Sequence, residues 1–242
     1  FWRSRGQPEY RQHLCERLGY GPSAAEEPCI WLHAVSVGET RAAAPLVEAL
    51  LAAHPGQRLL LTHMTPTGRA AASELLQRHP QRLLQAYLPY DLPGACERFL
   101  DRFQPSLGLL METEIWPNLI AAAKRRHLPL LLVNARLSAR SQRGYRRLRA
   151  LIEPALSSLI AVAAQSAADA ARLQSLAAHP VAVVGNLKFD VTPAADKLAL
   201  GRQWRQAIGK RPVLLAASTR DGEEALLLTA LASLRIDDLL LL

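Results

Sequence analysis

From residue 29 onward, short apolar runs alternate with longer stretches in which Ala and Leu are interleaved with Glu and Arg. The runs at 29–35, 58–63, 83–88, 106–111, 129–133, 159–163, 181–184, 213–217 and the terminal leucines are of strand length. They are apolar throughout rather than alternating, the pattern of strands covered on both faces. Stretches such as 40–53 and 66–78 are of helical length. Repeated strand–helix units of this kind predict a parallel, doubly wound α/β sheet with right-handed crossovers.

Residues 1–28 differ, with Arg3, Arg5, Arg11, His13 and Arg17 scattered among Phe1, Trp2 and Tyr10. This segment reads either as a solvated lead-in or as a basic, aromatic collar lying on a membrane surface. A second boundary falls near 186–200, where Gly185-Asn186 ends a strand and Val191-Thr192-Pro193 breaks the pattern before a new unit begins after Ala194. Residues 195–242 are too few for a second α/β domain and read as the opening of one. The first residue is Phe, and the chain stops within a leucine run, so it is expected to be a fragment cut at both ends.

Of 242 residues, half are hydrophobic and 21% charged, which excludes wholesale disorder. The longest charge-free runs, 154–168 and 173–187, are shorter than a membrane-spanning helix needs. Lys and Arg number 29 against 21 Asp and Glu, a net charge of +8 that favours anionic partners. Cys15, Cys29 and Cys96 form no CxxC pair, so neither a disulfide framework nor a zinc site is expected. His33 and His63 fall at neighbouring strand ends, but two His do not make a metal site, and no metal is expected.

Ligands of doubly wound sheets bind beyond the carboxyl ends of the strands. After the first strand comes Ser36-Val37-Gly38-Glu39-Thr40. Gly38 permits a close turn, Thr40 is placed to cap the next helix, and Glu39 is either an ordinary first-turn acid or a general base. Thr65-Pro66-Thr67-Gly68 is a plain helix cap or a contact for phosphate or sugar. In Glu112-Thr113-Glu114-Ile115-Trp116-Pro117, Pro117 opens a helix and Glu114 fits its first turn. If the strand continues, Glu112 and Glu114 share one side, which would raise the pKa of one of them. Asn134-Ala135-Arg136-Leu137-Ser138 leads into Arg140, Arg143 and Arg147, which with Arg136 would line one helical face. With Lys124-Arg125-Arg126 they make either a solvated basic face or an anion-binding one. Lys188 follows a strand near the boundary, and Ser218-Thr219-Arg220 opens a helix as a possible anion site, weakened by Glu223 and Glu224 in the same turn. No G-x-G-x-x-G, Walker or G-x-S-x-G motif is present.

Seven segments in order carry a resemblance. They run from His33-Ala34-Val35-Ser36-Val37-Gly38-Glu39 and Met64-Thr65-Pro66-Thr67-Gly68 through Tyr87-Leu88-Pro89-Tyr90-Asp91 and Met111-Glu112-Thr113-Glu114-Ile115-Trp116-Pro117-Asn118. They continue through Asn134-Ala135-Arg136-Leu137-Ser138 and Gly185-Asn186-Leu187-Lys188-Phe189-Asp190 to Ser218-Thr219-Arg220-Asp221-Gly222-Glu223-Glu224. Over about residues 8–242 the chain resembles the 3-deoxy-D-manno-octulosonic acid (Kdo) transferases of lipopolysaccharide assembly. The resemblance implies a two-domain GT-B glycosyltransferase, with an acceptor-binding Rossmann-like domain at 29–190. A hinge and the start of the CMP-Kdo-binding domain would occupy 191–242. It implies an inverting, metal-independent enzyme without a cofactor, at the cytoplasmic face of the inner membrane, moving Kdo from CMP-Kdo to the lipid A precursor (lipid IVA). Glu39 matches the family's general base, and Glu112 and Lys188 match positions that stabilise the transition state. Ser36, Gly38, Thr65, Thr67, Gly68, Asn134, Arg136, Ser138, Ser218, Thr219 and Arg220 are the expected substrate contacts. The family's main CMP motifs and its N-terminal anchor fall outside the chain, so this piece alone is expected to be inactive. Competing readings are another GT-B nucleotide-sugar transferase, a sugar-nucleotide epimerase, or a basic module for anionic membrane or nucleic acid. Sparse aromatics and the lack of a binding motif argue against nucleic acid.

Overall fold

The computed structural model describes residues 8–21, 28–176, 181–193, 195–234 and 236–242. Phe1, Trp2, Arg3, Arg5 and Ala194, named above, lie outside the described residues. The chain divides into two compact units, one ending at Val191 and the other beginning at Thr192.

The first unit opens with a 3-10 turn, Pro8–Arg11, and α1 (Leu14–Arg17). There follow β1 (Cys29–His33), α2 (Val37–Ala53), β2 (Arg58–His63), α3 (Pro66–Ala71), α4 (Ser73–Arg78), β3 (Leu83–Tyr87) and α5 (Pro93–Phe103). The order continues with β4 (Leu107–Met111), α6 (Pro117–Arg125), β5 (Leu130–Ala135), α7 (Ala139–Arg147), α8 (Arg149–Leu156), β6 (Ala161–Ala164), α9 (Ala167–Gln174) and β7 (Val181–Val183). A 3-10 turn at Leu187–Asp190 closes the unit. All strand pairings are parallel, and the strand order is β3-β2-β1-β4-β5-β6-β7.

The strands lack an alternating pattern because both sheet faces are covered. Ile30, Leu32, Leu59 and Leu61 pack with α2 and α4 on one face. Trp31 and Leu60 pack with α5, α6, α8 and α9 on the other. Trp31 meets Phe99 edge-on at 5.3 Å, and Phe99 meets Phe103 at 5.1 Å. Truncating such a buried aromatic costs about 3–5 kcal/mol. The helical stretch expected at 66–78 is two helices, because the Ala72 N–H bonds back to the Arg69 carbonyl and tightens the turn there. All three cysteines are free thiols.

The second unit contains α10 (Ala195–Ile208), β8 (Val213–Leu214), α11 (Glu223–Leu234) and β9 (Leu240–Leu241). Its two strands pair in parallel, and neither helix buries a residue.

Among the described residues, no helix is long and apolar enough to cross a membrane.

Candidate active site

Strand order locates the site. From β1 the chain turns to β2 on one side, whereas β4 lies on the other, so β1 and β4 flank the topological switch point. The helices leaving them cover opposite faces, α2 one and α6 the other, which opens a crevice between their loops. The β1 loop carries Glu39 and the β4 loop carries Glu112 and Glu114.

Helix α2 starts at Val37, earlier than expected, because Ser36 rather than Thr40 caps it. The Ser36 hydroxyl accepts the Glu39 N–H at 3.5 Å. Glu39 reciprocates: Oε2 accepts the Val35 N–H and Oε1 the Ser36 hydroxyl, both at 2.9 Å. This is a capping-box arrangement shifted by one residue. Each carboxylate oxygen still has a lone pair to offer, and among the described residues Glu39 has no ion-pair partner. Burial raises its pKa and Glu112 adds to the rise, against the two hydrogen bonds and Arg136. Both readings of Glu39, as helix-start acid and as base, thus coexist in one geometry. A Cβ on Gly38 would find only Ser36 Oγ, at 4.0 Å, so nothing within the protein requires glycine there.

The strand does not continue through Glu112. Its φ of 56° turns the chain into the left-handed region, costly for a non-glycine residue. Glu112 Oε2 faces Arg136 Nε at 3.3 Å. Glu114 lies before the first turn of α6 and reaches the same site by the turn, not by strand periodicity. Its carboxyl is pushed up to about 7 by burial and by the charges of Glu39 and Glu112. Glu114 Oε2 lies 4.0 Å from Nε2 of His33, a fully buried residue.

Lys188 is exposed, on the 3-10 turn at Leu187–Asp190, which packs against α2. That turn is clamped from below. Asn134, buried and left-handed at φ 50°, accepts the Leu187 N–H on Oδ1 at 3.1 Å. Gln165 bonds both the Asn134 carbonyl and the Asn186 amide, and Asn186 Oδ1 accepts the Lys188 N–H at 3.0 Å. Asn134 therefore positions the lysine turn.

Thr65 caps α3 by accepting the Gly68 N–H at 3.0 Å and donates to the Val35 carbonyl at 3.0 Å. Thr67 is exposed and donates to Thr65. Gly68 is buried where α3 meets the Glu39 loop: an added Cβ would lie 2.7 Å from the Val35 carbonyl oxygen. Ser138 caps α7. Ser218, Thr219 and Arg220 belong to the second unit, where Glu224 accepts the Thr219 hydroxyl and Glu223 the Arg220 N–H. These first-turn acids occupy the donors that an anion would use.

A family model described as 3-deoxy-D-manno-octulosonic-acid transferase (kdotransferase) matches residues 12–191. The chain belongs to the Kdo transferase family. It is 45% identical to the 3-deoxy-D-manno-octulosonic acid transferase of Bordetella pertussis over 97% of this chain and 56% of that one. The Haemophilus influenzae protein of the same name is 37% identical over 91% of this chain and 52% of that one. The chain thus spans about half the length of these relatives. Solved structures share the fold at low identity. A UDP-GlcNAc 2-epimerase from Neisseria meningitidis bound to UDP-GlcNAc gives a TM-score of 0.58 at 16% identity, covering 84% of this chain and 62% of that one. A glycosyltransferase from Rickettsia africae gives 0.51 at 13%, covering 86% and 58%. The fold is therefore the α/β GT-B type.

Several surroundings of the site in this Kdo transferase family member differ from expectation. Arg136 lies in the loop before α7, not on its face, because Ser138 starts that helix. Arg140, Arg143 and Arg147 are exposed on α7. Arg125 and Arg126, at the far end of α6 and so at the amino ends of the strands, pair with Glu97 and Asp101. No continuous basic face joins the two groups. Arg17 is buried rather than on the surface: it stacks 4.0 Å from the Tyr87 ring centre and donates to the Met64 carbonyl. Beside it, Glu16 accepts from Arg69 at 2.6 Å and from the Tyr87 N–H at 2.7 Å. The described part of the lead-in is thus docked on the β3 end of the sheet.

His33 and His63 are both buried and held neutral, with pKa values lowered by burial to about 3 and about 4. Among the described residues no group of three or more His, Cys, Asp or Glu side chains is placed to hold a metal ion. A concavity of about 490 Å³ lined by Asp101, Arg126 and His127 lies at the opposite end of the sheet from the carboxylates.

Proposed function

We propose that the protein is a Kdo glycosyltransferase of lipopolysaccharide synthesis that moves Kdo from CMP-Kdo to the lipid A precursor, with inversion and without a metal. The acceptor hydroxyl attacks the anomeric carbon as the bond to the CMP phosphate oxygen breaks. Glu39 takes the hydroxyl proton, and the electron pair of the breaking bond leaves on CMP. Lys188 and Arg136 are the cationic groups that meet the anionic donor and leaving group, and Glu112 holds Arg136. Exposed Arg140, Arg143 and Arg147 suit the phosphates of the acceptor and the anionic inner-membrane surface at its cytoplasmic face.

One observation carries this reading: Glu39 stands at the switch point with its proton affinity raised by burial and, among the described residues, without an ion pair. The test is Glu39→Gln in the full-length protein, assayed with CMP-Kdo and lipid IVA. Loss of a general base lowers turnover by about 10²–10⁴-fold. Near-normal turnover removes Glu39 as the base. Turnover of a UDP-sugar in place of CMP-Kdo would favour another nucleotide-sugar enzyme of this fold.

A further inference from the structure

His33 is the last residue of β1 and has no exposed surface. Its Nδ1 lies 3.2 Å from the Thr62 carbonyl oxygen and 2.9 Å from Thr62 Oγ1. Oγ1 already accepts the Trp31 indole N–H at 2.8 Å. A carbonyl oxygen only accepts, so the Thr62 carbonyl favours the form with the ring hydrogen on Nδ1 and the lone pair on Nε2, whereas a bond donated by the Thr62 hydroxyl to Nδ1 would place that hydrogen on Nε2. Nε2 is buried and, among the described residues, has no hydrogen-bond partner. The group facing it is Glu114 Oε2, 4.0 Å away. An unpartnered buried acceptor costs about 1–3 kcal/mol, and a side-chain shift of about 1 Å brings the pair to hydrogen-bond range. In the Nδ1–H form a protonated Glu114, the group that faces Nε2, supplies the missing donor.

The charged groups around Glu114 favour the same state, against the Trp116 indole N–H, which favours the ionised form. Glu39 faces it from α2 and Glu112 from its own turn, while Tyr145 of α7 presents its hydroxyl to the Thr113 carbonyl. Arg136, the nearby cation, is matched to Glu112. Three ionised carboxylates at one crevice with one arginine would repel one another and any anionic substrate.

We propose that Glu114 is a resident carboxylic acid whose proton is directed at His33 Nε2, a positioning residue that leaves Glu39, among the described residues, as the one ionised carboxylate of the crevice without an ion-pair partner. This rests on the transferase reading for its role but not for its chemistry. The pair shares one proton between Glu114 and Nε2 and keeps a second on Nδ1, carries no net charge, and fixes the β4 loop against the end of β1. Deprotonation as pH rises adds a negative charge beside Glu39 and weakens binding of an anionic donor.

Two spectroscopic measurements on the 242-residue chain test the proton directly. Infrared titration should show a protonated carboxylic acid persisting to near-neutral pH and absent in Glu114→Gln. Imidazole ¹⁵N NMR should show His33 Nε2 without a bonded hydrogen at neutral pH. A Glu114 carboxyl that titrates in the ordinary carboxylate range, or an Nε2–H form of His33, overturns the proposal whether or not the protein transfers Kdo. In the full-length enzyme, Glu114→Gln should remove a decline in kcat/KM that the wild type shows as pH rises through neutrality. A Glu114→Gln profile superimposable on the wild type refutes the positioning role while leaving the transferase reading intact.

Discussion

Gly68→Ala examines how tightly the base loop is held. The added Cβ would lie 2.7 Å from the Val35 carbonyl oxygen, 2.8 Å from Thr65 Oγ1 and 3.2 Å from the Ser36 carbonyl carbon. Two of these are backbone atoms that cannot rotate away, so α3 and the loop after β1 must separate by several tenths of an ångström. Overpacking of this kind costs about 1–3 kcal/mol. Replacing a helical glycine by alanine returns up to about 1 kcal/mol, leaving a net loss of about 1–2 kcal/mol. The same movement drags Val35, whose N–H holds Glu39 Oε2. Misplacing a catalytic group by about 1 Å costs about 10²-fold, so a shift of several tenths should lower kcat by roughly tenfold. Urea denaturation of the chain measures the first effect, and Kdo transfer by the full-length protein the second. Gly56→Ala is the control, since a Cβ there meets nothing within 4 Å. If Gly68→Ala matches Gly56→Ala in both stability and turnover, the close approach does not exist.

Three further outcomes follow from the same geometry. Glu112→Gly should stabilise the fold by about 1 kcal/mol by relieving the left-handed backbone, while lowering transfer through loss of the Arg136 partner; equal stability in urea would show no strain there. Asn134→Ala should speed amide hydrogen exchange at Leu187 and Lys188 and cost about 1–3 kcal/mol, because the Leu187 N–H loses its acceptor; unchanged exchange would show that Asn134 is no clamp. For Glu114 the folded pKa of about 7 lies above the ordinary carboxyl value of 4.5, so its contribution to stability is complete at acid pH and is lost as pH rises through 7. His33 and His63 act with the opposite sign, losing stability as pH falls below their ordinary value of 6.5. The wild-type advantage over Glu114→Gln should therefore shrink by about 3 kcal/mol between about pH 5 and about pH 8, and a constant difference would contradict the raised pKa.

What could be read locally was read well. The apolar runs at β2 and β4 sit within a residue or so of their expected bounds, because a strand buried on both faces leaves little room for polar side chains; β7, an exposed edge strand, matches its expected bounds without that burial. Thr65 caps α3 as expected of a hydroxyl before a helical run, whereas Ser36 caps α2 in place of the expected Thr40, and Ser138, expected as a substrate contact, caps α7. Glu39 was visible for the same reason: its position depends on the three residues before it.

Contacts between distant segments were not legible. Arg17 reads as one more surface arginine until the β3 end supplies Tyr87 and the Met64 carbonyl. Asp91 looks like a loop residue, yet it caps α6 through the N–H groups of Asn118 and Leu119, where Trp116 cannot. The neighbour of Glu114 was not legible either: its turn faces the buried Nε2 of His33. Hydrophobic period and capping chemistry are local, so the chain by itself determined the elements and the helix-start acid. Strand order is decided by packing of the whole sheet, and only that packing placed β1 beside β4 and brought the carboxylates of two separate loops to one crevice.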